Sequence, residues 1–486
     1  MQEADPVQRS VDVAVIGAGT AGLAAYRAAT GALARVVMIE GGHHGTTCAR
    51  VGCMPSKLLI AAGEAAHHAR HAGPFGVHAT VQVDGRAVME RVRRERDRFV
   101  GFVLDGVERI PDEDKIHGRA RFVSPGVLEV KGQDGKLLAR VEARSVVIAT
   151  GSSAFVPAMF EAVRERLIIN DDVFAWESLP ASVAVFGSGV IGLELSQALS
   201  RLGVRVRVFG QSGTVGPLTD PVVRASALAA FREEMGFHPD GTVTQVRRVE
   251  EGVEVTFGDV DGTKRVETFA YALVAAGRKP NLKDLGVEHS GIRLDAKGAP
   301  VHDRTTMQCD DTSVFVAGDA NDDVPVLHEA ADEGTIAGEN AAAFPKITAG
   351  LRSSLLSITF TEPQIAIAGA TLASLRTGGT YSHQAAPAAT SDEIVIGEVS
   401  FVDQGRSRVM LQNRGIGHVY ADRSTGRFLG AELVGPRVEH IGHLLAWAHQ
   451  QGLTVDAMLA MPFYHPVVEE GLRTALRDAA SKINKR

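Results

Sequence analysis

The sequence predicts an α/β fold in which one strand–turn–helix unit occurs twice. Residues 11–25, VDVAVIGAGTAGLAA, and residues 182–199, SVAVFGSGVIGLELSQAL, share an apolar strand, a GxGxxG turn and an Ala-rich helix. A second observation is the run GTTCARVGCMPSK, just after the first unit, in which four residues separate two cysteines. The 486 residues are enough for about three domains. The repeat indicates two nucleotide-binding modules within them.

The first unit has the glycines of a phosphate-binding turn. Gly17 permits the tight turn, Gly19 lets the backbone approach a pyrophosphate, and Gly22 lets the helix pack closely on its strand. The helix N terminus then faces the phosphates, and its N–H groups stabilise the anion. The next strand, RVVMIE, ends at Glu40, whose carboxylate is placed to accept hydrogen bonds from a ribose. An adenosine dinucleotide is the predicted ligand.

The second unit repeats the turn with Gly187, Gly189 and Gly192. Its next strand reaches the position equivalent to Glu40 at Gly210, so it lacks the acid. The choice between NAD and NADP therefore stays open.

The two cysteines of the GTTCARVGCMPSK run are Cys48 and Cys53, and we interpret them as a reversible dithiol. Three cysteines in the whole sequence are too few for the disulfide framework of a secreted scaffold. The segment after Cys53, CMPSKLLIAAGEAAHHA, predicts a helix whose N-terminal dipole lowers the pKa of a thiol.

Composition and charge narrow the expected location and partners. The N terminus, MQEADPVQRS, is polar, and glycines interrupt the apolar stretch after it, so we expect a cytoplasmic protein without a membrane span. A formal net charge of -7 argues against a nucleic-acid partner. His67 and His71 lie at helical spacing, but no Cys or acidic ligand set accompanies them, so no metal site is predicted.

The other elements follow from local patterns. The charged segment 90–109 predicts a helix, and residues 115–148 contain short apolar runs separated by SPG and GQDG turns, which is typical of a β meander. From about residue 350 onward, strand-like runs such as EIVIGEVSFV alternate with helical ones such as EHIGHLLAWAHQQ. This part is predicted to be α+β.

Together these segments resemble the flavin-dependent pyridine nucleotide-disulfide oxidoreductases, and within that family most closely the dihydrolipoamide dehydrogenases. The resemblance spans nearly the whole chain. Besides the two glycine turns and the cysteine run, the similar segments are GRARF (118–122), ATGSS (149–153), AAGRKPN (275–281), VFVAGDA (314–320) and PFYHPVVEE (462–470).

The resemblance implies an FAD domain interrupted by an NAD domain and followed by a dimerisation domain. The implied segments are 1–155 for the first part of the FAD domain, 156–274 for the NAD(P) domain, 275–349 for the FAD and central return, and 350–486 for the dimerisation domain. FAD and NAD are the implied cofactors, and a homodimer is the implied assembly.

The resemblance also implies the site residues. Cys48 takes the interchange role and Cys53 is the sulfur nearest the flavin. His465 handles the proton and Glu470 orients it, while Lys57 and Glu194 lie together beside the flavin ring. Further implied cofactor contacts are Gly118, Thr150, Gly151, Ser152, Gly277, Asp319 and His328.

The implied activity is the oxidation of dihydrolipoyl groups on a carrier protein or a 2-oxoacid dehydrogenase-type complex, with reduction of NAD+. One alternative is an NADPH-driven reductase of another disulfide or electrophile, which the missing acid at Gly210 leaves open. A mercuric reductase is disfavoured because the segment ASKINKR at the C terminus lacks a cysteine pair. Another alternative is a flavin-binding redox sensor or structural subunit without appreciable turnover. Thr46, where the family usually has glycine, and Tyr464, where it often has histidine, are departures from the pattern.

Overall fold

The structure is a computed structural model, and it describes residues 6–259, 262–378, 380–381, 384–385, 390 and 392–483. The strands, numbered in chain order, are β1 (Val7–Ile16), β2 (Val36–Glu40), β3 (Lys115–His117), β4 (Arg119–Ser124), β5 (Val127–Lys131), β6 (Leu137–Ile148), β7 (Ser152–Ala154), β8 (Leu167–Ile168), β9 (Ser182–Phe186), β10 (Arg205–Phe209), β11 (Gly236–His238), β12 (Val243–Val249), β13 (Gly252–Gly258), β14 (Lys264–Phe269), β15 (Tyr271–Val274), β16 (Arg278–Pro280), β17 (Val314–Val316), β18 (Leu356–Thr359), β19 (Gln364–Gly369), β20 (Thr380–Tyr381), β21 (Gln384–Ala385), β22 (Ile394–Ser400), β23 (Ile416–Asp422) and β24 (Phe428–Gly435).

The α-helices are α1 (Thr20–Gly31), α2 (Thr47–Val51), α3 (Cys53–Arg70), α4 (Gly85–Glu108), α5 (Asn170–Val173), α6 (Val190–Arg201), α7 (Pro221–Glu234), α8 (Leu327–Ala343), α9 (Leu372–Thr377), α10 (Gly405–Val409), α11 (Val438–Gln450), α12 (Val455–Leu459) and α13 (Glu470–Ile483). The chain divides into two compact units. The first comprises the chain up to Pro55, Arg94–Ala154 and Arg278–Ser353, and the second comprises Ser56–Arg93, Phe155–Gly277 and Ser354 onward.

The first unit is built on one sheet with the order β3-β2-β1-β6-β5-β4, in which β17 also pairs with β6. The pairs of β1 with β2 and β6, of β2 with β3, and of β6 with β17 are parallel. The predicted meander is β4-β5-β6, and its strands pair antiparallel. It is not a separate module, because the buried apolar end of β6 continues into the parallel sheet between β1 and β17.

Helices α1 and α8 pack together in this unit with their backbones in contact. A Cβ built on Gly334 or Gly338 of α8 would overlap the carbonyl oxygens of Ala21 and Ala25 on α1. The alanines of the first repeat and the glycines of α8 therefore allow an approach that larger residues would block.

The second unit contains the second repeat and the C-terminal part. Its parallel sheet has the order β11-β10-β9-β15-β8, and β12-β13-β14 form a separate antiparallel sheet. The C-terminal sheet β18-β19-β24-β23-β22 is antiparallel, and α11 and α13 pack on it over a buried apolar core.

The predicted fold class is confirmed. Strands of the second parallel sheet occur in the chain between β6 and β17 of the first, so one dinucleotide module interrupts the other. The helices predicted at 90–109 and after the cysteine run are α4 and α3. Within the described ranges, no helix is both long enough and apolar enough to cross a membrane.

Candidate active site

The first glycine turn has the geometry of a phosphate cradle. Gly17 has a φ of 110°, which favours glycine, and a Cβ on it would overlap the carbonyl oxygen of Ala149. A Cβ on Gly22 would overlap the carbonyl oxygen of Gly17, so α1 packs directly on the turn. Gly19, by contrast, has no described atom within 4 Å of its Cβ position. The turn therefore leaves open space at the N terminus of α1.

The second turn repeats these three roles. Gly187 has a φ of 126° and could not carry a Cβ without overlapping the carbonyl oxygen of Ala275, while Gly192 packs against Gly187. Gly189 again has no described atom within 4 Å of its Cβ position. Gly277 has a φ of 111° and the same open surroundings. The backbone of this unit therefore fits a second phosphate-bearing ligand at the N terminus of α6.

Glu40 lies at the end of β2, beside the first turn. Its Oε2 accepts a hydrogen bond from Ala18 N at 2.7 Å, and its Oε1 accepts one from Gly42 N at 2.7 Å. These two bonds fix the carboxylate next to the glycine turn, where the sequence predicts contact with a ribose. Gly118 lies between β3 and β4. Its N–H donates to the carbonyl oxygen of Glu40 at 2.9 Å, so it is next to Glu40 in space.

The predicted contacts after β6 form a second polar group in the first unit. Ser152 Oγ donates to Asp319 Oδ2 at 2.6 Å, and Arg278 Nε donates to Ser152 Oγ at 2.8 Å. Asp319 lies in a short 3-10 helix, Gly318–Asn321. Gly151 has a φ of 67° with no described atom within 4 Å of its Cβ position.

Arg278 is a residue that the sequence reasoning missed, although it lies in the quoted AAGRKPN motif. The signal was available, because the guanidinium group of arginine is a common hydrogen-bond partner of carboxylates and phosphates.

Among the buried polar atoms that lack a hydrogen-bond partner within the described residues, two lie near the predicted FAD contacts. They are Thr150 Oγ1, after β6, and His328 Nε2, in the first turn of α8. Buried polar atoms are rarely left unsatisfied in a native protein. With the open turn at Gly19 and the fixed carboxylate of Glu40, these atoms fit a bound flavin dinucleotide in the first unit.

The position in the second unit that is equivalent to Glu40 has no room for a side chain. A Cβ on Gly210 would lie 2.5 Å from Ser188 Oγ and 2.8 Å from Pro239 Cα. Gly210 N donates to the carbonyl oxygen of His238 at 2.8 Å, which holds the backbone there. The local packing therefore excludes an acidic side chain at this position.

Cys48 and Cys53 lie in consecutive helices of the cysteine run. Cys48 belongs to α2, which the sequence did not predict, and Cys53 is the first residue of α3. Gly52 separates the helices, and a Cβ on it would lie 3.2 Å from Cys48 Cα. Both cysteines are half-buried. This arrangement brings the backbone after α2 close to Cys48 and puts Cys53 at the positive end of an 18-residue helix.

Thr46 gives a physical reason for one departure from the family pattern. It has a φ of 56°, a value that glycine adopts easily and a β-branched residue rarely does. Its Oγ1 accepts a hydrogen bond from Ala49 N at 3.3 Å and so caps α2. Threonine is less suited than glycine to this φ value, but its hydroxyl group supplies a helix cap that glycine cannot.

Lys57 and Glu194 form the ion pair that the resemblance implies. Lys57 Nζ lies 2.7 Å from Glu194 Oε2, and the Glu194 side chain is 5% exposed. The ammonium group also lies 4.6 Å from the centroid of the Phe360 ring. The carboxylate of this pair is buried, whereas the Lys57 side chain is 33% exposed and lies beside an aromatic ring.

His465 and Glu470 also lie together, at the start of α13. His465 Nδ1 lies 2.9 Å from Glu470 Oε2, and Arg473 Nη2 donates to Glu470 Oε1 at 3.1 Å. The imidazole is 79% exposed, whereas the carboxylate is 17% exposed. A carboxylate on Nδ1 fixes the ring and leaves Nε2 as the nitrogen that exchanges protons with a substrate. The neighbouring Tyr464 is exposed.

These features define a class of protein: a dinucleotide-dependent oxidoreductase with a dithiol and a histidine–carboxylate pair. Comparison with known proteins gives the family. The model described as pyridine nucleotide-disulphide oxidoreductase matches residues 11–334, and the dimerisation domain of the same family matches residues 356–476. The chain belongs to the pyridine nucleotide-disulphide oxidoreductase family. It is an FAD-dependent enzyme that uses a pyridine nucleotide, and its dimerisation domain indicates a homodimer.

Relatives with different names match nearly the whole chain. A mercuric reductase of Streptomyces lividans is 31% identical over 98% of this chain and 97% of the relative. A dihydrolipoyl dehydrogenase of Haloferax volcanii is 29% identical over 97% of each chain. The crystal structure of LpdA from Mycobacterium tuberculosis, at 24% identity, superimposes with a TM-score of 0.79 and covers 96% of this chain and 99% of that one. The last similarity supports the fold alone.

Proposed function

We propose that this enzyme oxidises protein-bound dihydrolipoyl groups at the Cys48–Cys53 pair and reduces NAD+. The observation that carries the proposal is the His465–Glu470 contact of 2.9 Å in a chain that also has the CxxxxC run. Exchange between two dithiols needs a base that accepts a proton near neutral pH, and an oriented histidine is suited to this role. Relatives named dihydrolipoyl dehydrogenase support the same substrate.

The thiol chemistry proceeds in two exchanges at the Cys48–Cys53 disulfide. A substrate thiol loses its proton to His465 Nε2, and the thiolate attacks Cys48 Sγ, so that the bond between Cys48 and Cys53 breaks and Cys53 leaves as a thiolate. The second substrate thiol then attacks the substrate sulfur of the mixed disulfide and passes its proton to the departing Cys48, so that the substrate disulfide forms and Cys48 is released as a thiol. The substrate is oxidised by two electrons, the protein dithiol is reduced, and Glu470 stabilises the protonated imidazole.

FAD, when bound, supplies the two-electron link between the dithiol and the nicotinamide. In the proposal, the turn at Gly17, Gly19 and Gly22 and the carboxylate of Glu40 hold its adenosine diphosphate part. Asp319 and Thr150 offer polar groups for the rest of the cofactor. The family resemblance implies that Lys57 and Glu194 would be the charged pair beside the flavin ring.

The proposal extends to assembly and location. We expect the homodimer to act on a lipoyl-bearing carrier protein or a 2-oxoacid dehydrogenase-type complex in the cytoplasm. The domain boundaries at residues 155, 274 and 349 remain part of this proposal.

Replacing Cys48 by serine tests the proposed dithiol. We expect Cys48→Ser to abolish lipoamide-dependent reduction of NAD+, because the first exchange has no sulfur to attack, while FAD remains bound. Turnover is followed at the absorbance of NADH, and FAD content by its visible spectrum. Cys309→Ala is the matched control, because Cys309 is fully buried and burial raises the pKa of its thiol to about 12. Unchanged turnover in Cys48→Ser would contradict the assigned cysteine role.

A second candidate is an NADPH-driven reductase of another disulfide or electrophile, and the packing around Gly210 favours it. Because no acidic side chain fits at that position, no carboxylate is there to repel the 2′-phosphate of NADPH. The initial rate of flavin reduction is measured with NADH and NADPH, and turnover is then measured with lipoamide and glutathione disulfide. Faster reduction by NADPH with no lipoamide turnover selects the second candidate. Preference for NADH together with lipoamide turnover selects the first.

A further inference from the structure

Two buried polar residues of α6, Gln197 and Arg201, lie near the Lys57–Glu194 ion pair and take no part in the proposed thiol exchange. We propose that Gln197 and Arg201, on the same face of α6 as Glu194, are positioning residues that hold this pair through the segment 360–362. The inference rests on the proposed function, because that function places Lys57 beside the flavin. It concerns the residues that fix an ammonium group, and it does not depend on the identity of the dithiol substrate.

The three side chains share one helical face and are all buried. Glu194, Gln197 and Arg201 are spaced three and four residues apart in α6, which places them in one row. Counted over the whole residue, the exposed fractions of Glu194, Gln197 and Arg201 are 4%, 3% and 5%. Burying three polar side chains is costly unless each finds partners, so the partners of this row define its purpose.

The first partner of the row is Phe360. Glu194 Oε1 accepts a hydrogen bond from Phe360 N at 2.9 Å, while Glu194 Oε2 accepts from Lys57 Nζ at 2.7 Å. Lys57 Nζ in turn lies 4.6 Å from the centroid of the Phe360 ring. Phe360 thus contacts both members of the ion pair, through its backbone and through its ring. The position of the ammonium group depends on where Phe360 is held.

Gln197 holds the chain two residues beyond Phe360. Its Oε1 accepts a hydrogen bond from Glu362 N at 2.7 Å, and its Nε2 donates to Glu362 O at 2.8 Å. One amide side chain therefore satisfies both backbone groups of a single residue, as a neighbouring strand would. This double contact fixes the backbone of the segment against α6.

Arg201 fixes the side chain of the same residue. Its Nη1 lies 2.7 Å from Glu362 Oε2, and its guanidinium also binds the carboxylate of Glu234 at the end of α7. Burial would raise the pKa of Glu362, but the charge and hydrogen bond of Arg201, together with the neighbouring His68 and His67, outweigh burial and lower this pKa. Gln412 Nε2 donates to Glu362 Oε1 at 2.6 Å, and His68 Nε2 lies 3.2 Å from Glu362 Oε2.

The consequence is that a segment after β18 sets the position of an ammonium group on α3. Lysine has a flexible stem and many rotamers, so a neighbouring anion alone does not fix its position. Weakening the contacts at Glu362 releases Phe360, and Lys57 Nζ then spreads over several positions. A positive charge near the flavin favours the reduced, more negative form, so a less localised charge makes reduction less favourable.

The test uses Gln197→Leu in the full-length holoenzyme. The substitution keeps the volume and removes both hydrogen bonds to Glu362. We expect the two-electron midpoint potential of the bound flavin to fall by about 30 mV, which corresponds to a tenfold change in the reduction equilibrium. We also expect flavin reduction by NADH to slow by about tenfold. Gln245→Leu, at an exposed glutamine of β12 in the same unit, is the matched control and should leave the potential unchanged.

Measurements on two further variants, Lys57→Met and Gln197→Asn, complete the test of the positioning role. Lys57→Met is expected to lower the potential at least as much as Gln197→Leu. A shift in Lys57→Met with a wild-type potential in Gln197→Leu would overturn the positioning role, and no shift in Lys57→Met would overturn the placement of the ion pair as well. If Gln197→Leu does not fold, Gln197→Asn replaces it, because the shorter side chain withdraws the amide from the backbone of Glu362. A wild-type flavin potential in Gln197→Asn would also overturn the positioning role. Lipoamide turnover of the unmodified enzyme tests the proposed function separately from all of these.

Discussion

Gly210 is the residue at which the two dinucleotide modules differ most clearly. In the first module Glu40 fills the equivalent position and is held by two backbone N–H groups. In the second, Ser188 and the backbone of Pro239 occupy the space that a side chain would need. The difference is therefore one of packing as well as charge.

We expect Gly210→Glu to destabilise the protein without creating a preference for NADH. Overpacking of this kind costs about 1–3 kcal/mol, because the Pro239 backbone must shift. Urea unfolding measures the stability, and initial rates of flavin reduction by NADH and NADPH measure the preference. Gln211→Glu, one residue further along, adds the same charge as a control. Unchanged stability in Gly210→Glu would show that the site has more room than the structure gives it.

His418 is a buried histidine between two carboxylates. Its Nδ1 lies 2.7 Å from Asp220 Oδ2 and its Nε2 lies 3.0 Å from Glu398 Oε2. Burial would lower the pKa of His418, but the hydrogen bonds and negative charges of Asp220 and Glu398 together outweigh burial and raise this pKa above its usual 6.5. Tyr420 also donates to Asp220 Oδ2, at 3.0 Å.

This environment predicts a pH-dependent effect of His418→Gln on stability. The stabilisation by the charged imidazole is fully present below the unfolded pKa of 6.5 and is lost as the pH rises through the higher folded pKa. We expect the variant to lose roughly 1–3 kcal/mol at pH 6 and progressively less at higher pH. Urea unfolding from pH 6 to 9 measures this. The exposed His289→Gln serves as the control, and a loss in His418→Gln that is independent of pH would contradict the prediction.

At the scale of elements, the close packing of α1 against α8 is a main contact within the first unit. The two helices meet where alanines of α1 face Gly334 and Gly338 of α8. Beyond α8, Arg352 is fully buried and pairs with Glu329 and Glu333 at 2.6 and 2.8 Å. Glu333 Oε2 also accepts from Gly318 N at 2.7 Å, so this buried cluster contacts the turn that carries Asp319.

We expect Gly334→Ala to destabilise the protein although alanine favours helices. The new methyl group would overlap the backbone of Ala21, and such overpacking costs about 1–3 kcal/mol, more than the roughly 1 kcal/mol gained in helix propensity. Thermal unfolding and FAD retention are the measurements. Gly106→Ala, in α4 with no described atom within 4 Å of its Cβ position, is expected to stabilise by about 0.4–1 kcal/mol. The same sign for both variants would exclude close packing as the cause.

At the scale of the whole molecule, the dimerisation domain carries the predicted proton acceptor. His465 and Glu470 lie within the region that matches this domain, whereas Cys48 and Cys53 lie within the region that matches the oxidoreductase domain. The family resemblance implies that the histidine acts on the dithiol of the other subunit. Two inactive subunits should therefore complement each other.

Co-expression of Cys48→Ser and His465→Gln subunits tests this expectation. Random pairing makes half of the dimers hybrid, and each hybrid has one site with both groups intact, so we expect about a quarter of wild-type lipoamide turnover. Co-expression of Cys48→Ser with Cys53→Ser is the control, because both alter the same dithiol and no site is restored. No activity in the first mixture would place the histidine and the dithiol in one subunit.

The sequence by itself determined the two dinucleotide modules, the helix after Cys53 and the α+β C-terminal part. Each rests on a local rule: glycines at fixed spacing in a strand–turn–helix unit, or a regular apolar period. The His465–Glu470 pair, by contrast, came from the resemblance to the family and not from a local rule, although its members are only five residues apart.

Only the tertiary structure decided the contacts between distant segments. The sequence contains no local signal that Gln197 would bind the backbone of Glu362, or that Pro239 would close the space beside Gly210. It also did not reveal α2 or the continuation of β6 into the parallel sheet. The physical reason is that a spacing rule describes neighbours within one element, whereas burial, packing and hydrogen bonding between elements depend on where the whole chain places them.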